Sequence, residues 1–138
     1  MEPIFRRPLP SDIEDVARNM RAIDALECAE IAGQFPLEAL REGVEESPGC
    51  LAAIVNGKAV CIFGVAPEQT LGSIGNPWLL GVDGFELHSR QILRHSRRFV
   101  RGMLALYPHL RNLVRCGCFL PPAKYLLKLN QVNLQVRK

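Results

Sequence analysis

The chain has 138 residues, 48% of them apolar, enough for one hydrophobic core, so a single domain spanning 1–138 is expected. No apolar run approaches the ~20 residues of a membrane-spanning helix, and the N-terminus MEPIFRRPLPSDIED lacks a charged-then-apolar signal pattern, so a soluble, intracellular compartment is expected. The net charge of +3 hides an asymmetry: residues 1–50 carry eleven acids and five bases, residues 51–138 three acids and twelve bases. Either the surface is polarised, with a basic half that meets an anion, or the two halves face and partly neutralise each other.

Ile4 to Leu9 alternates briefly and reads as a short first strand. Ser11-Asp12-Ile13-Glu14 has the form of a capping box, which predicts a helix from there to about Met20. A second helix is predicted over Asp24 to Gly33, stopped by the glycine, and a third over 36–47, opened by Pro36 and carrying Leu37, Leu40 and Val44 at helical spacing. The period then changes. CLAAIV and KAVCIFGVAP are two strands joined by Asn56-Gly57, a two-residue hairpin turn.

Glu68 to Asn76 reads as a glycine-rich loop. Pro77 to Val82 is apolar on both faces, as befits a strand inside a sheet, and Trp78 is expected in the core. One long helix is predicted over Ser89 to Tyr107, with Ile92, Leu93, Phe99, Val100, Met103 and Leu104 on one arc and Arg90, Arg94, Arg97, Arg98 and Arg101 on the other. Pro108 ends it. LRNLVRCG reads as a further strand and AKYLLKLNQVNL, after Pro121 and Pro122, as a closing helix. The whole predicts an α/β (α+β) fold, a mixed and mostly antiparallel sheet flanked by helices.

The five cysteines, Cys28, Cys50, Cys61, Cys116 and Cys118, are odd in number and show no repeated spacing, which argues against a secreted disulfide framework and for free thiols. The Cys116-x-Cys118 pair has no second pair or nearby histidine to complete a tetrahedral set, so no metal is expected. Of His88, His95 and His109, His88 lies beside the strand-to-helix junction and is the candidate general base, with Glu86 and Asp83 as further proton acceptors. The five arginines suit phosphates, nucleic acid or acidic protein, and the lack of interleaved aromatics weighs against nucleic acid.

The segments DALECAEIAGQFPLEALREGVEES, VNGKAVCIFGVAP and GNPWLLGVDGFELHSRQILRHSRRFVRGMLALYPHL, in that order, resemble the GNAT acyltransferase superfamily. Within it they are similar to a family of small phage proteins related to the internal virion protein A of short-tailed coliphages. The superfamily resemblance implies a splayed sheet with acyl-CoA along Trp78 to Val82 and its pyrophosphate over the next helix start. It assigns cofactor contact to Leu80, Gly81, Val82, Gly84, Ser89 and Arg90. The superfamily's Arg/Gln-x-x-Gly-x-Gly/Ala loop is replaced by Asp83-Gly84-Phe85-Glu86-Leu87-His88-Ser89-Arg90. The expectation is therefore that Phe85 or Leu87 plugs the pyrophosphate pocket and that no cofactor binds, acetyl-CoA being the alternative.

The strands that the superfamily places after LRNLV are expected to be missing or supplied by a partner, leaving a sheet edge open to homo-oligomers. The phage likeness implies an accessory protein of virion assembly or of the virion interior, in the host cytoplasm or the virion, acting through a phage or host protein. An acyl-CoA-dependent N-acetyltransferase is the alternative, and a small basic nucleic-acid adaptor the third.

Overall fold

The computed structural model describes residues 2–68 and 72–111. The elements run β1 (Ile4–Arg6), α1 (Pro10–Arg18), α2 (Ala22–Ala32), α3 (Pro36–Glu46), β2 (Leu51–Val55), β3 (Lys58–Pro67), β4 (Ile74–Gly81), a 3-10 turn (Phe85–Leu87), α4 (Ser89–Leu93), α5 (Ser96–Leu106) and β5 (His109–Leu110). The five strands form one sheet in chain order, antiparallel throughout except for the parallel β4–β5 pair. This is the mixed, mostly antiparallel α/β fold expected. Its centre is the β2–β3 hairpin, whose turn residues Asn56 and Gly57 both take positive φ (53° and 77°), the twist that a two-residue hairpin requires.

Strand alternation sorts the core into two layers. On one face Ala52, Ile54 and Ile62 pack with Val16, Met20, Cys28 and Leu40 of the α1–α3 segment, joined by Trp78 and Leu80. On the other face Ala53, Val55, Cys61, Phe63 and Val65 pack with Phe85, Ile92 and Met103, joined by Leu79 and Phe99. The charge asymmetry follows this division. Residues 10–46, covering α1–α3, hold ten acids and three bases, whereas residues 89–106, covering α4 and α5, hold five arginines and no acid. The acidic and basic helices thus lie on opposite faces, and the polarised surface is the arrangement adopted.

Three predicted elements differ from those observed. Helix α1 starts at Pro10, not Ser11, because proline at the first helical position needs no amide partner; Asp12 takes the Leu9 N–H (2.8 Å) and pairs with Arg6 of β1. Strand β4 starts at Ile74, so the last three residues of the predicted loop belong to it, Gly75 and Asn76 pairing with β3. The single long helix is broken at Arg94 and His95, where the His95 ring turns onto Phe5 of β1 with centroids 5.1 Å apart. The predicted strand beyond Arg111, the closing helix, Cys116, Cys118 and the expected loss of C-terminal strands lie outside the described residues.

Gly64 marks where α3 and the start of β2 press closest on the sheet: an added Cβ would lie 2.8 Å from Cys50 Cβ and 3.1 Å from Ser47 Cβ. Both neighbours are fixed close to the backbone. Gly64→Ala is expected to lower stability by about 1–3 kcal/mol, read as a lower urea midpoint; an unchanged midpoint would show that this junction yields freely.

Candidate functional site: the outer edge of strand β4

Backbone alternation fixes which groups of β4 face outward. Glu68 N–H donates to the Ile74 carbonyl and Val82 N–H to the Val60 carbonyl (both 3.0 Å). With a period of two, Ile74, Asn76, Trp78 and Leu80 therefore bond β3, while Gly75, Pro77, Leu79 and Gly81 turn their backbone groups away from it. Pro77 suits that register, since it has no N–H to give the ladder.

Both ends of this outer edge are closed. At the start, β5 pairs with Ile74 and Gly75, and Arg111 N–H donates to the Gly75 carbonyl at 2.9 Å. At the far end the connector between α1 and α2 lies alongside: Met20 bridges Val82, Asp83 N–H donates to the Asn19 carbonyl, and Arg21 N–H donates to the Gly81 carbonyl (both 2.9 Å). The Gly81 N–H donates to Asp24 Oδ2 at 2.8 Å. Between these closures the Pro77 carbonyl and the Leu79 N–H and carbonyl have no partner among the described residues. The four residues Pro77 to Leu80 make a window about 13 Å long. A narrow apolar cleft of about 30 Å³ adjoins it, between Pro77 and Leu79 and the residues Ile92, Leu93 and Ser96 of α4 and α5.

Asn76, Trp78 and Leu80 direct their side chains to the α1–α3 face. Trp78 is half-buried rather than core: its Nε1 donates to Ser47 Oγ at 2.7 Å and its ring lies flush with Gly43 of α3. Next to it, Asn76 Oδ1 is buried and has no hydrogen-bond donor among the described residues. A native fold satisfies nearly all such atoms, so this one marks a place where a ligand's N–H could complete the site.

The turn after β4 is built differently from a phosphate cradle. The amides of Val82, Asp83, Phe85, Leu87 and His88 all donate to carbonyls of the fold, so few point outward. Gly84 takes φ 83°, the left-handed conformation that lets the chain double back. Phe85, 2% exposed, fills the space against Gly81, while Leu87 is 83% exposed and fills nothing. Ser89 is buried with its hydroxyl donating to the Glu86 carbonyl (3.0 Å), and Arg90 is exposed.

Beneath the turn lies a buried ion pair. Arg21 and Asp24 are 4% and 1% exposed; Arg21 Nε and Nη2 donate to Asp24 Oδ2 at 2.9 and 2.7 Å, and Nη1 donates to Glu86 at 3.4 Å. The Arg21 guanidinium also stacks on Phe85, 4.8 Å from its centroid. Burial drives the Asp24 carboxyl above its ordinary pKa, outweighing the opposing pull of Arg21 and the Gly81 N–H. Of the predicted proton acceptors, Glu86 is thus tied to Arg21 and His88 is half-buried at the start of α4. Burial also lifts the Cys28 thiol to about 11 and the Cys61 thiol to about 12, so neither is a thiolate at neutral pH.

The predicted cofactor residues Leu80, Gly81, Val82, Gly84, Ser89 and Arg90 therefore gather at one junction, but most of their polar groups are engaged within the fold. Pro77, Leu79 and Asn76 were not among them. Pro77 was the available signal: a proline inside a strand announces which alternate residues face the edge.

The sequence matches no protein-family model and no curated protein. Its fold is similar to solved structures of acetyltransferases. The PaiA N-acetyltransferase of Thermoplasma acidophilum, in complex with coenzyme A, aligns over 93% of this chain and 89% of its own at 13% identity, with a TM-score of 0.54. A possible acetyltransferase from Clostridium difficile 630 aligns over 94% of this chain and 90% of its own at 16% identity, with a TM-score of 0.55. Aminoglycoside 6'-acetyltransferase type Ii aligns over 75% of this chain and 65% of its own at 15% identity, with a TM-score of 0.52. The chain thus has the fold of the GNAT acetyltransferases. These likenesses overturn the expectation of an accessory protein of virion assembly or of the virion interior, because the proteins that share the architecture are acetyltransferases. Among the described residues no helix is long and apolar enough to cross a membrane.

An acyl-coenzyme, which this fold family implies, fits the site unevenly. The Leu79 strand edge suits an extended pantetheine arm, whose amides pair with a strand edge; the adjoining cleft of about 30 Å³ has room for about one water and not for the arm. The turn at Asp83 to His88 offers its diphosphate little, for the reasons given.

Proposed function

We propose that the chain is an N-acetyltransferase that draws its acyl group from a pantetheine thioester, as in acetyl-CoA, and passes it to a primary amine. The observation that carries this reading is the edge of β4 at Pro77 to Leu80, between β5 and the α1–α2 connector in a GNAT fold, whose outward backbone groups no described residue meets. The Leu79 N–H and carbonyl are placed to pair with the arm as a further short strand would. The bound coenzyme supplies an activated thioester. Asn76 Oδ1, on the α1–α3 face, accepts a hydrogen bond from the acceptor amine and orients it. The acceptor ammonium would first lose a proton to solvent; its neutral nitrogen would then attack the thioester carbonyl, the C–N bond forming as the C–S bond breaks and the second amine proton passing to the departing thiolate.

The acid-rich α1–α3 segment lies on the face to which Asn76 points, which favours a cationic amine as acceptor. With the diphosphate over the start of α4, His88 and Glu86 stand at that end of the strand. Asn76 lies five residues before Gly81, about 17 Å along the strand, so proton transfer at the amine is not theirs.

Thermal melting with acetyl-CoA tests the reading. At about 100 times its Kd the ligand adds about 2.7 kcal/mol of stability, a rise of several degrees in Tm. Leu79→Pro, which deletes the outward N–H, is expected to abolish that rise, and the packing it removes from the core also lowers the unliganded Tm. No shift at millimolar acetyl-CoA and no acetylated product from a panel of polyamines and lysyl peptides would overturn the proposal.

A further inference from the structure

We infer that the acyl donor arrives on the phosphopantetheine arm of an acidic acyl carrier protein in preference to free CoA, an inference that rests on reading the β4 edge as a thioester site. Free CoA brings a diphosphate and a further phosphate, and needs amides or cations at the end of β4 to hold them. There the amides of Val82, Asp83, Phe85, Leu87 and His88 are engaged. Of the cations there, Arg21 is buried against Asp24 and Glu86, and the one exposed at the start of α4, Arg90, faces the exposed carboxylates of Asp83 and Glu86 where the diphosphate would lie. Like charges there weaken a polyanion and tolerate a single phosphodiester better.

What the turn lacks, the adjoining helices offer over a wider area. Residues 87–111 contain six arginines and no acid. Arg90, Arg94, Arg97, Arg98 and Arg101 are all exposed; Arg94 has only a loose pairing with Glu2 at 3.9 Å, and Arg98 lies over the Phe99 ring at 5.2 Å. Arg90, Arg97 and Arg101 form no ion pair among the described residues. Such a face is too broad for one small ligand and matches the acidic surface of a carrier whose arm reaches past α4 to the strand edge at Leu79. Phe99, which stands among these arginines, is half-buried against Phe5 and Phe63 and serves the core rather than stacking bases, which favours protein over nucleic acid. In the transfer the carrier's thioester C–S bond breaks as the C–N bond forms, and the carrier leaves with its free thiol.

Binding measured by fluorescence anisotropy tests this, with four probes: an acyl carrier protein bearing acetyl-phosphopantetheine, acetyl-CoA, acetyl-pantetheine and a duplex DNA. The acetylated carrier is expected to bind at least roughly tenfold more tightly than acetyl-CoA and to weaken as salt is raised. The triple substitution Arg94→Glu, Arg97→Glu, Arg101→Glu is expected to remove that advantage and leave acetyl-pantetheine binding unchanged. Acetyl-CoA binding as tightly as the carrier overturns the inference and leaves the proposed transferase standing; failure of every thioester to bind overturns both. DNA retention lost in the triple variant, without carrier binding, assigns the face to nucleic acid and also overturns it.

Discussion

Asn76→Leu is expected to yield a protein at least as stable as the parent and badly impaired in acyl transfer. A buried polar atom without a partner costs about 1–3 kcal/mol, and Asn76 Oδ1 is such an atom. Leucine has nearly the same shape and nothing to satisfy, so equilibrium unfolding should show an unchanged or higher free energy, by up to about 1 kcal/mol. If the oxygen exists to receive an amine N–H, its loss removes a charge-assisted hydrogen bond worth about 1.5–3 kcal/mol, or roughly 10–100-fold in kcat/KM. A cationic acceptor should feel this chiefly in KM, since the bond is made on binding. Asn76→Asp, which keeps an acceptor oxygen and adds charge, should retain more activity than the leucine variant. A leucine variant of undiminished kcat/KM would remove Asn76 from the site; one that unfolds easily would show that the side chain has a structural partner.

That residue was invisible in the sequence for a physical reason. Gly72 to Asn76 carries two glycines, a serine and an asparagine, all turn formers, and nothing local says that Ile74 to Asn76 pair with Ala66, Pro67 and Glu68. The hairpin, by contrast, was legible because Asn56-Gly57 fixes its own geometry, and β3 runs over the ten residues predicted, Lys58–Pro67. The break at Arg94 and His95 could not be read because the apolar spacing of Ile92, Phe99 and Met103 continues across it; the cause is Phe5, ninety positions earlier. The arginine face was legible as charge, its place opposite the acidic helices only from the sheet. The GNAT fold itself was read from the order of elements, whereas the finer likeness to phage virion proteins misdirected the function, since order of elements specifies architecture and not chemistry.

The heaviest destabilisation is expected at Asp24. From sequence, Arg21 and Asp24 look like an ordinary surface pair three residues apart; Gly81, 57 positions from Asp24, makes them a buried lock by bringing the end of β4 onto both. Asp24→Ala leaves the Arg21 guanidinium buried with only Glu86 at 3.4 Å, and strips the Gly81 N–H of its acceptor. Removing one partner of a buried pair costs about 3–5 kcal/mol, so Tm should fall by about 10 °C or more. The double variant Arg21→Met, Asp24→Leu should recover the part of that loss due to the unpaired charge, since the pair itself gains little over apolar contact, and keep about 1–3 kcal/mol for the Gly81 N–H left without an acceptor.

The pH dependence has a definite sign. Burial raises the folded-state pKa of Asp24 above its unfolded value, so the folded chain holds its proton more tightly than the unfolded one. The contribution of Asp24 is therefore most favourable below the ordinary carboxylate range and declines as pH rises through its elevated folded-state value. Compared with Asp24→Asn, which keeps an acceptor for Gly81 and does not titrate, the parent should lose stability as pH climbs from about 4 toward neutrality. Urea titrations of both proteins across that range check this. Parallel curves would mean that Asp24 ionises as easily folded as unfolded, and an alanine variant within about 1 kcal/mol of the parent would mean that the lock does not hold the end of β4.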